Sequence, residues 1–179
     1  NELPHEHVTL ITEYSGTSFD VTKIDGVSRL IFAANEKHGI DNIERGAVVY
    51  TGDCSDCGAF NRLYVGANWG NVLVLGLGLG VLPQYIKENK NPTSIDVIDN
   101  NQELIDYVNY LHEDINIIKA EAYSWTPNKN YDIIIDDLYW DESEVSEQDK
   151  QDLLSNYESS LNTGGRIVLP ISRQVRIKE

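Results

Sequence analysis

The sequence predicts an α/β protein in which a small antiparallel β module precedes a doubly wound, mostly parallel sheet, shortened at its C-terminal side. Three observations support this. From Asn71 onward, short apolar runs alternate with helix-period segments, and strands separated by helices imply right-handed crossovers and a parallel sheet covered on both faces. The first of these runs, NVLVL, leads into glycines at alternate positions, Gly76, Gly78 and Gly80, and then into a helix. Strand, glycine turn and helix together bring backbone close to a ligand and aim free N–H groups at it. Before residue 35, by contrast, β-rich runs are punctuated by Ser15-Gly16 and Asp25-Gly26. The expected division is residues 1–68 for the β-hairpin module and 69–179 for the ligand-binding domain.

Taken in order, HVTLITEY, SFDVTKI and VSRLIFA read as three strands. Asp25-Gly26 between the last two is a hairpin signal, because the tightest hairpin turn needs positive φ at both central residues. Between residues 35 and 70, GAVVY reads as a strand, FNRLYV as a strand or short helix, and the piece between them as a loop. Strands are then expected at 71–75, 94–99, 115–119, 131–136 and 165–170, with helices at 81–89, 101–111 and 146–161. Asn71–Leu75 is apolar enough to be buried on both faces. Pro83 fits the first turn of its helix, where a missing N–H costs nothing. Leu104, Val108 and Leu111 fall on one face of the second helix; Leu153, Leu154, Tyr157 and Leu161 do so on the third. Thr163-Gly164-Gly165 is expected to stop that helix and start the last strand.

The 179 residues suffice for one domain and a small appendage, which would bury roughly 70% of the unfolded surface without further staples. No run of 18 apolar residues and no basic-apolar leader is present, so a cytoplasmic, non-membrane protein is expected. The chain has no Met, even at position 1, as expected of a piece of a longer product. A net charge of −15, acidic on both sides of residue 70, argues against binding nucleic acid and would favour a cationic substrate; general solubility explains it equally well. Cys54 and Cys57 are the only cysteines, and no second pair closes a zinc tetrahedron, so no metal is expected and both thiols are read as reduced.

In an open parallel sheet, ligands sit beyond the carboxyl ends of the strands, near the point where strand order reverses. There the first strand delivers the glycine turn and the second delivers Asp99 followed by Asn100. The third delivers Ala120, Glu121 and Ala122, and the fourth delivers Asp136 and Asp137. Carboxylates are rarely buried without a partner, so acids at three successive strand ends beside a glycine turn point to a nucleoside rather than to packing. A side chain at Gly78 would fill the space that the nucleoside needs. Asp99 is placed to accept hydrogen bonds from two ribose hydroxyls. A dinucleotide site would read G-x-G-x-x-G, whereas here the spacing is G-x-G-x-G with Val81 at the third glycine's place. That spacing, with the extra carboxylate after the third strand, favours an S-adenosyl cofactor over a nicotinamide one.

VLVLGLGLGVLPQYI, IDVIDNNQELI, KAEAYSW and YDIIIDDL together resemble the class I S-adenosylmethionine-dependent methyltransferases, a Rossmann-like fold. Within that superfamily they look most like the spermidine synthases (polyamine aminopropyltransferases) and their methyltransferase-like relatives. The second motif is similar to that family's V-E-I-D-P-x-V, with Asp99 at the place of the ribose-binding acid. The third is similar to G-D-A, which puts Glu121 opposite the adenine amino group. The fourth is similar to Y-D-x-I-I-x-D, which puts Asp137 at the active-site acid. VTKIDGVSRL resembles the family's L-x-L-D-G-x-x-Q-L hairpin. The family has a second Asp three residues after its catalytic one, where Trp140 stands here, and its sheet continues past the fifth strand with two more strands, for which together this chain is too short.

The resemblance implies an S-adenosyl-dependent transferase with S-adenosylmethionine or its decarboxylated form as cofactor. It would move a methyl or aminopropyl group to a small amine, with a polyamine as one option; the chain could assemble as a homo-oligomer. Gly76, Gly78, Gly80, Asp99, Asn100, Glu121 and Ala122 are the cofactor-binding candidates, and Asp137 is the catalytic one. The six acids and no base from Asp136 to Glu147 could attract a cation, or could simply favour a helix start near Ser146. Trp125, Tyr139 and Trp140 could flank an adenine or could be packing. The alternative is a catalytically inactive, nucleoside-binding regulatory module of the same fold; a nicotinamide-dependent enzyme ranks third.

Overall fold

The computed structural model describes residues 10–24, 27–32, 46–48, 67–138, 146–169 and 174–179. The described residues form two sheets. The N-terminal sheet contains β1 (Tyr14–Ser15), β2 (Phe19–Ile24), β3 (Val27–Phe32) and β4 (Gly46–Val48), in that order and wholly antiparallel. Ile24 lies opposite Val27, the register of a two-residue hairpin. Asp25 and Gly26 themselves, with Cys54, Cys57, FNRLYV, Tyr139 and Trp140, lie outside the described residues. Of HVTLITEY the structure describes residues 10–14, and among these only Tyr14 is in a strand, because residues 11–13 pair with nothing in the sheet despite their alternation. Ile11 instead sinks into the core at 1% exposure.

The second sheet holds β5 (Asn71–Leu75), β6 (Ser94–Asp99), β7 (Ile115–Lys119), β8 (Tyr131–Asp136), β9 (Leu161–Leu169) and β10 (Gln174–Ile177). Their spatial order is β10-β9-β8-β5-β6-β7, and all neighbours are parallel except β9 with β10. The chain runs outward from β5 through β6 to β7 and then crosses back to β8 on the other side of β5. Strand order therefore reverses between β5 and β8, and the crevice beyond their carboxyl ends is where such sheets bind ligands.

Among the described residues three helices connect the strands: α1 (Val81–Asn89), α2 (Gln102–Tyr107) and α3 (Glu147–Glu158). Alternate strand residues face opposite ways, so each strand feeds two cores. Val72, Val74, Ile95, Val97, Ile133 and Ile135 pack with α1, with Leu104 of α2, and with Phe19, Val21 and Leu30 of the N-terminal sheet. Leu73, Leu75, Ile98, Ile134 and Ile167 pack on Leu153, Leu154 and Tyr157 of α3. The small sheet thus shares a continuous apolar cluster with one face of the large sheet. Each fully buried aliphatic side chain contributes about 1.5–3 kcal/mol to that arrangement.

The two later helices depart from expectation. α2 ends at Tyr107 rather than Leu111, since Val108 turns out of the helix at ψ 73°. α3 is capped by Ser146, whose hydroxyl accepts the Asp149 N–H at 3.1 Å, with Glu147 and Asp149 in its first turn. β9 begins at Leu161, before Thr163-Gly164-Gly165 rather than after it. Those residues form an irregularity inside the strand: Tyr131 pairs with Leu161, but Ile133 already pairs with Arg166. Gly164 has φ 79°, and its N–H donates to the Lys178 carbonyl. One strand, β10, extends the sheet past β9.

Candidate functional site

The glycine turn leaves the end of β5 with φ values of 99°, 52° and 76° at Gly76, Gly78 and Gly80, all in territory where L-residues are strained. The Gly76 N–H donates to the Ile98 carbonyl at 2.8 Å, and the Gly80 N–H closes the turn on the Leu77 carbonyl at 2.9 Å. The two outer glycines are also needed sterically. A Cβ at Gly76 would come within 2.7 Å of the Asp137 carbonyl oxygen, and one at Gly80 within 2.7 Å of a Leu111 methyl. A Cβ at Gly78 would meet nothing within 4 Å, so the middle of the turn faces open space.

β6 brings Asp99 directly alongside this turn. One Asp99 carboxylate oxygen accepts the Leu77 N–H at 3.1 Å and the other accepts the Asn101 N–H at 2.9 Å. Burial pushes its pKa up, with the nearby Glu121 charge adding to this, against the three backbone amides that pull it down. Each carboxylate oxygen has capacity to accept again, so the group can still receive ribose hydroxyls. The next residue links onward: the Asn100 side-chain amide donates to Glu121 at 3.0 Å. β7 supplies Glu121 through a tight turn in which its carbonyl accepts the Ser124 and Trp125 N–H groups. Gly76 to Gly80, Asp99, Asn100 and Glu121 therefore lie along one edge, joined by hydrogen bonds from the turn to Asp99 and from Asn100 to the third strand end.

Ala122 reaches the same edge, but its methyl is buried in the α3-side core. Its carbonyl is engaged from the same side, accepting the Tyr157 hydroxyl at 2.6 Å and the Asn156 amide at 3.3 Å. Trp125 packs against the same core, and its carbonyl is held by Asn156 at 3.0 Å.

At the end of β8 the two acids part company. Asp137 is exposed; its N–H donates to the Leu75 carbonyl at 2.9 Å, which seats it against the glycine turn. Asp136 points inward at 8% exposure, and one of its oxygens accepts the Leu138 N–H at 3.2 Å. Burial raises its pKa to about 6, opposed by the Leu138 amide and the Lys150 charge. Buried carboxylates with raised pKa concentrate at functional sites, and Asp136 is the acid that the sequence brings to this edge without assigning it a role. Which of the two adjacent acids turns inward was not legible in the sequence, because Ile134 and Ile135, two residues before Asp136 and Asp137, are both fully buried. Among the described residues, no group of three or more His, Cys, Asp or Glu is arranged to hold a metal, and no helix is long and apolar enough to cross a membrane.

The fold is Rossmann-like, a mostly parallel six-stranded sheet with helices on both faces, and solved methyltransferases share it. It is similar to an S-adenosylmethionine-dependent methyltransferase from Clostridium acetobutylicum ATCC 824 at 15% identity and TM-score 0.54, over 65% of this chain and 50% of that one. It is similar also to the N-methyltransferase NodS from Bradyrhizobium japonicum WM9, solved with S-adenosyl-L-homocysteine, at 17% identity and TM-score 0.51, over 64% and 59%. A third is CalS10, an amino pentose methyltransferase from Micromonospora echinaspora solved with bound S-adenosylmethionine, at 10% identity and TM-score 0.53, over 64% and 48%. The chain thus spans about half the length of these proteins. No protein-family model and no curated protein matches the sequence.

Proposed function

We propose that this chain binds S-adenosylmethionine and takes part in transferring its methyl group to a small acceptor. The observation that supports this most is the hydrogen-bonded run from the Leu77 amide to Asp99, continued by the Asn100–Glu121 bond, beside open space over Gly78. The residues suit the cofactor. The turn amides and the space over Gly78 would take the amino-acid end and the sugar, Asp99 the ribose hydroxyls, and Glu121 with the Ala122 backbone the adenine edge. When bound, the cofactor supplies a carbon made electrophilic by an adjacent sulfonium. The protein's part is positioning and electrostatics, since holding two reactants in line is worth roughly 7–11 kcal/mol of the barrier. Asp137, beside the turn, is proposed to orient an amine acceptor or accept its proton. The neighbouring acids would favour a cationic acceptor.

Methyl transfer is preferred because the solved proteins of similar fold are named methyltransferases; aminopropyl transfer rests on the motif resemblance alone. Titration calorimetry with S-adenosylmethionine, its decarboxylated form and S-adenosylhomocysteine tests the reading. Binding of S-adenosylmethionine ahead of the decarboxylated form is expected. Preference for the decarboxylated form would move the assignment to aminopropyl transfer, and absence of heat with all of them would end it. Turnover on a panel of amines, lost in Asp137→Asn, separates an enzyme from a binding module.

A further inference from the structure

A second polar network joins the nucleoside-binding edge to the N-terminal sheet. The turn between β1 and β2 closes on Glu103 in the first turn of α2. Glu103 Oε1 accepts the Thr17 N–H at 2.7 Å and the Tyr14 hydroxyl at 2.9 Å. Its Oε2 accepts the Ser18 N–H at 2.8 Å and the Ser18 hydroxyl at 2.7 Å. A Cβ at Gly16 would overlap the same carboxylate, so the turn can close this tightly only because glycine stands there. The Ser18 hydroxyl also accepts from the Asn101 side-chain amide at 3.0 Å, and the Asn101 backbone N–H is one of the amides that hold Asp99. A relay therefore runs from the β1–β2 turn through Ser18 and Asn101 to the proposed ribose acid.

The glycine turn is reached by an aromatic arm. Tyr14 stacks on Phe19 with ring centroids 5.1 Å apart, and Tyr107 packs against the two at 5.0 and 5.7 Å. Tyr110 meets Tyr107 edge-on at 6.2 Å and donates its hydroxyl to the Leu79 carbonyl, inside the glycine turn, at 2.6 Å. The small sheet thus reaches both elements that would meet the nucleoside, the Asp99 loop through the Ser18–Asn101 bond, 83 residues apart in sequence, and the glycine turn through Tyr107 and Tyr110.

We propose that Glu103, Ser18 and Tyr110 are positioning residues for the cofactor, through which the N-terminal sheet sets the Asp99 loop and the glycine turn without touching the ligand. This rests on the S-adenosyl reading for its ligand but not for its structural claim. The test uses the full chain carrying Glu103→Gln, Ser18→Ala, Ser18→Thr or Tyr110→Phe. Two quantities are measured: S-adenosylhomocysteine affinity by calorimetry, and amide hydrogen exchange of the ligand-free protein at Leu77, Gly80, Asn101 and Ile134. Glu103→Gln, Ser18→Ala and Tyr110→Phe should each weaken binding about tenfold, since each removes a partner from a network of hydrogen bonds. Ser18→Thr, which keeps the hydroxyl, should restore it. Exchange should speed up at Leu77 and Asn101 in the first two variants and at Gly80 in Tyr110→Phe, while Ile134 in the sheet centre keeps its protection. Affinities within twofold of the parent, or exchange that rises equally at Ile134, would overturn the proposal. If the parent chain binds no S-adenosylhomocysteine, the functional reading falls, and the exchange pattern alone still decides whether the network positions these two elements.

Discussion

Gly76 and Gly78 lie two residues apart with positive φ, yet alanine should cost mainly stability at the first and mainly ligand affinity at the second. At Gly78 a Cβ meets nothing within 4 Å, so stability bears only the left-handed backbone penalty, about 1 kcal/mol. For a chain of this length that lowers the melting temperature by about 2–4 °C. Ligand affinity should fall much further, at least about tenfold, because the methyl group enters the space the nucleoside would use. At Gly76 the same methyl meets the Asp137 carbonyl oxygen at 2.7 Å in a backbone at φ 99°. Strained φ and a displaced strand end together should cost about 3 kcal/mol or more, a fall on the order of 6–12 °C. Differential scanning calorimetry of both variants, with S-adenosylhomocysteine titrations at 25 °C, gives the comparison. Equal destabilisation by the two substitutions, or undiminished binding in Gly78→Ala, would refute the division of labour between these glycines.

Asp136→Asn should stabilise the protein at neutral pH. The folded-state pKa of Asp136 is raised to about 6, above its unfolded value, so the native state binds the extra proton and wild-type stability from this group falls as pH rises from about 4 through 6. The variant should therefore gain on the order of 2 kcal/mol over wild type at pH 7 and little at pH 4, as urea unfolding at the two pH values would reveal. Tyr131→Phe removes one of the donors to the buried Asp96, which also binds Lys129 at 2.8 Å and Asn116 at 3.1 Å. It should cost about 1–3 kcal/mol in denaturant while leaving ligand affinity unchanged, because Tyr131 begins its strand at the edge opposite the site. Ser146→Ala deletes the α3 cap and should cost about 1 kcal/mol, restored by Ser146→Asp, in thermal melts.

Much of the large sheet was legible in the sequence because each strand feeding two cores is apolar almost throughout. The bounds of β5 to β8 and of α1 come out as the sequence predicts. The site's outline was legible for a related reason: glycines and acids at strand ends have few packing roles to compete with functional ones. What escaped prediction depends on contacts distant in sequence. Periodicity extends α2 through Leu111, but the Tyr107 hydroxyl binds the Thr12 carbonyl and Tyr110 binds Leu79, so tertiary anchors end the helix early. Gly164 and Gly165 look like a helix stop, yet they serve as a kink within β9 because the Gly164 N–H finds the Lys178 carbonyl. Glu103 reads as a solvated helix residue until the β1–β2 turn is placed on it, where its hydrogen bonds hold its pKa down at about 2.

The nucleoside site itself is tested most directly by titrating the isotope-labelled protein with S-adenosylhomocysteine and following its backbone amides by nuclear magnetic resonance. Saturable shifts concentrated at Leu77 to Gly80, Asp99 to Asn101 and Glu121 to Ala122 are expected. Shifts confined to other parts of the molecule, or none at millimolar ligand, would contradict the assignment.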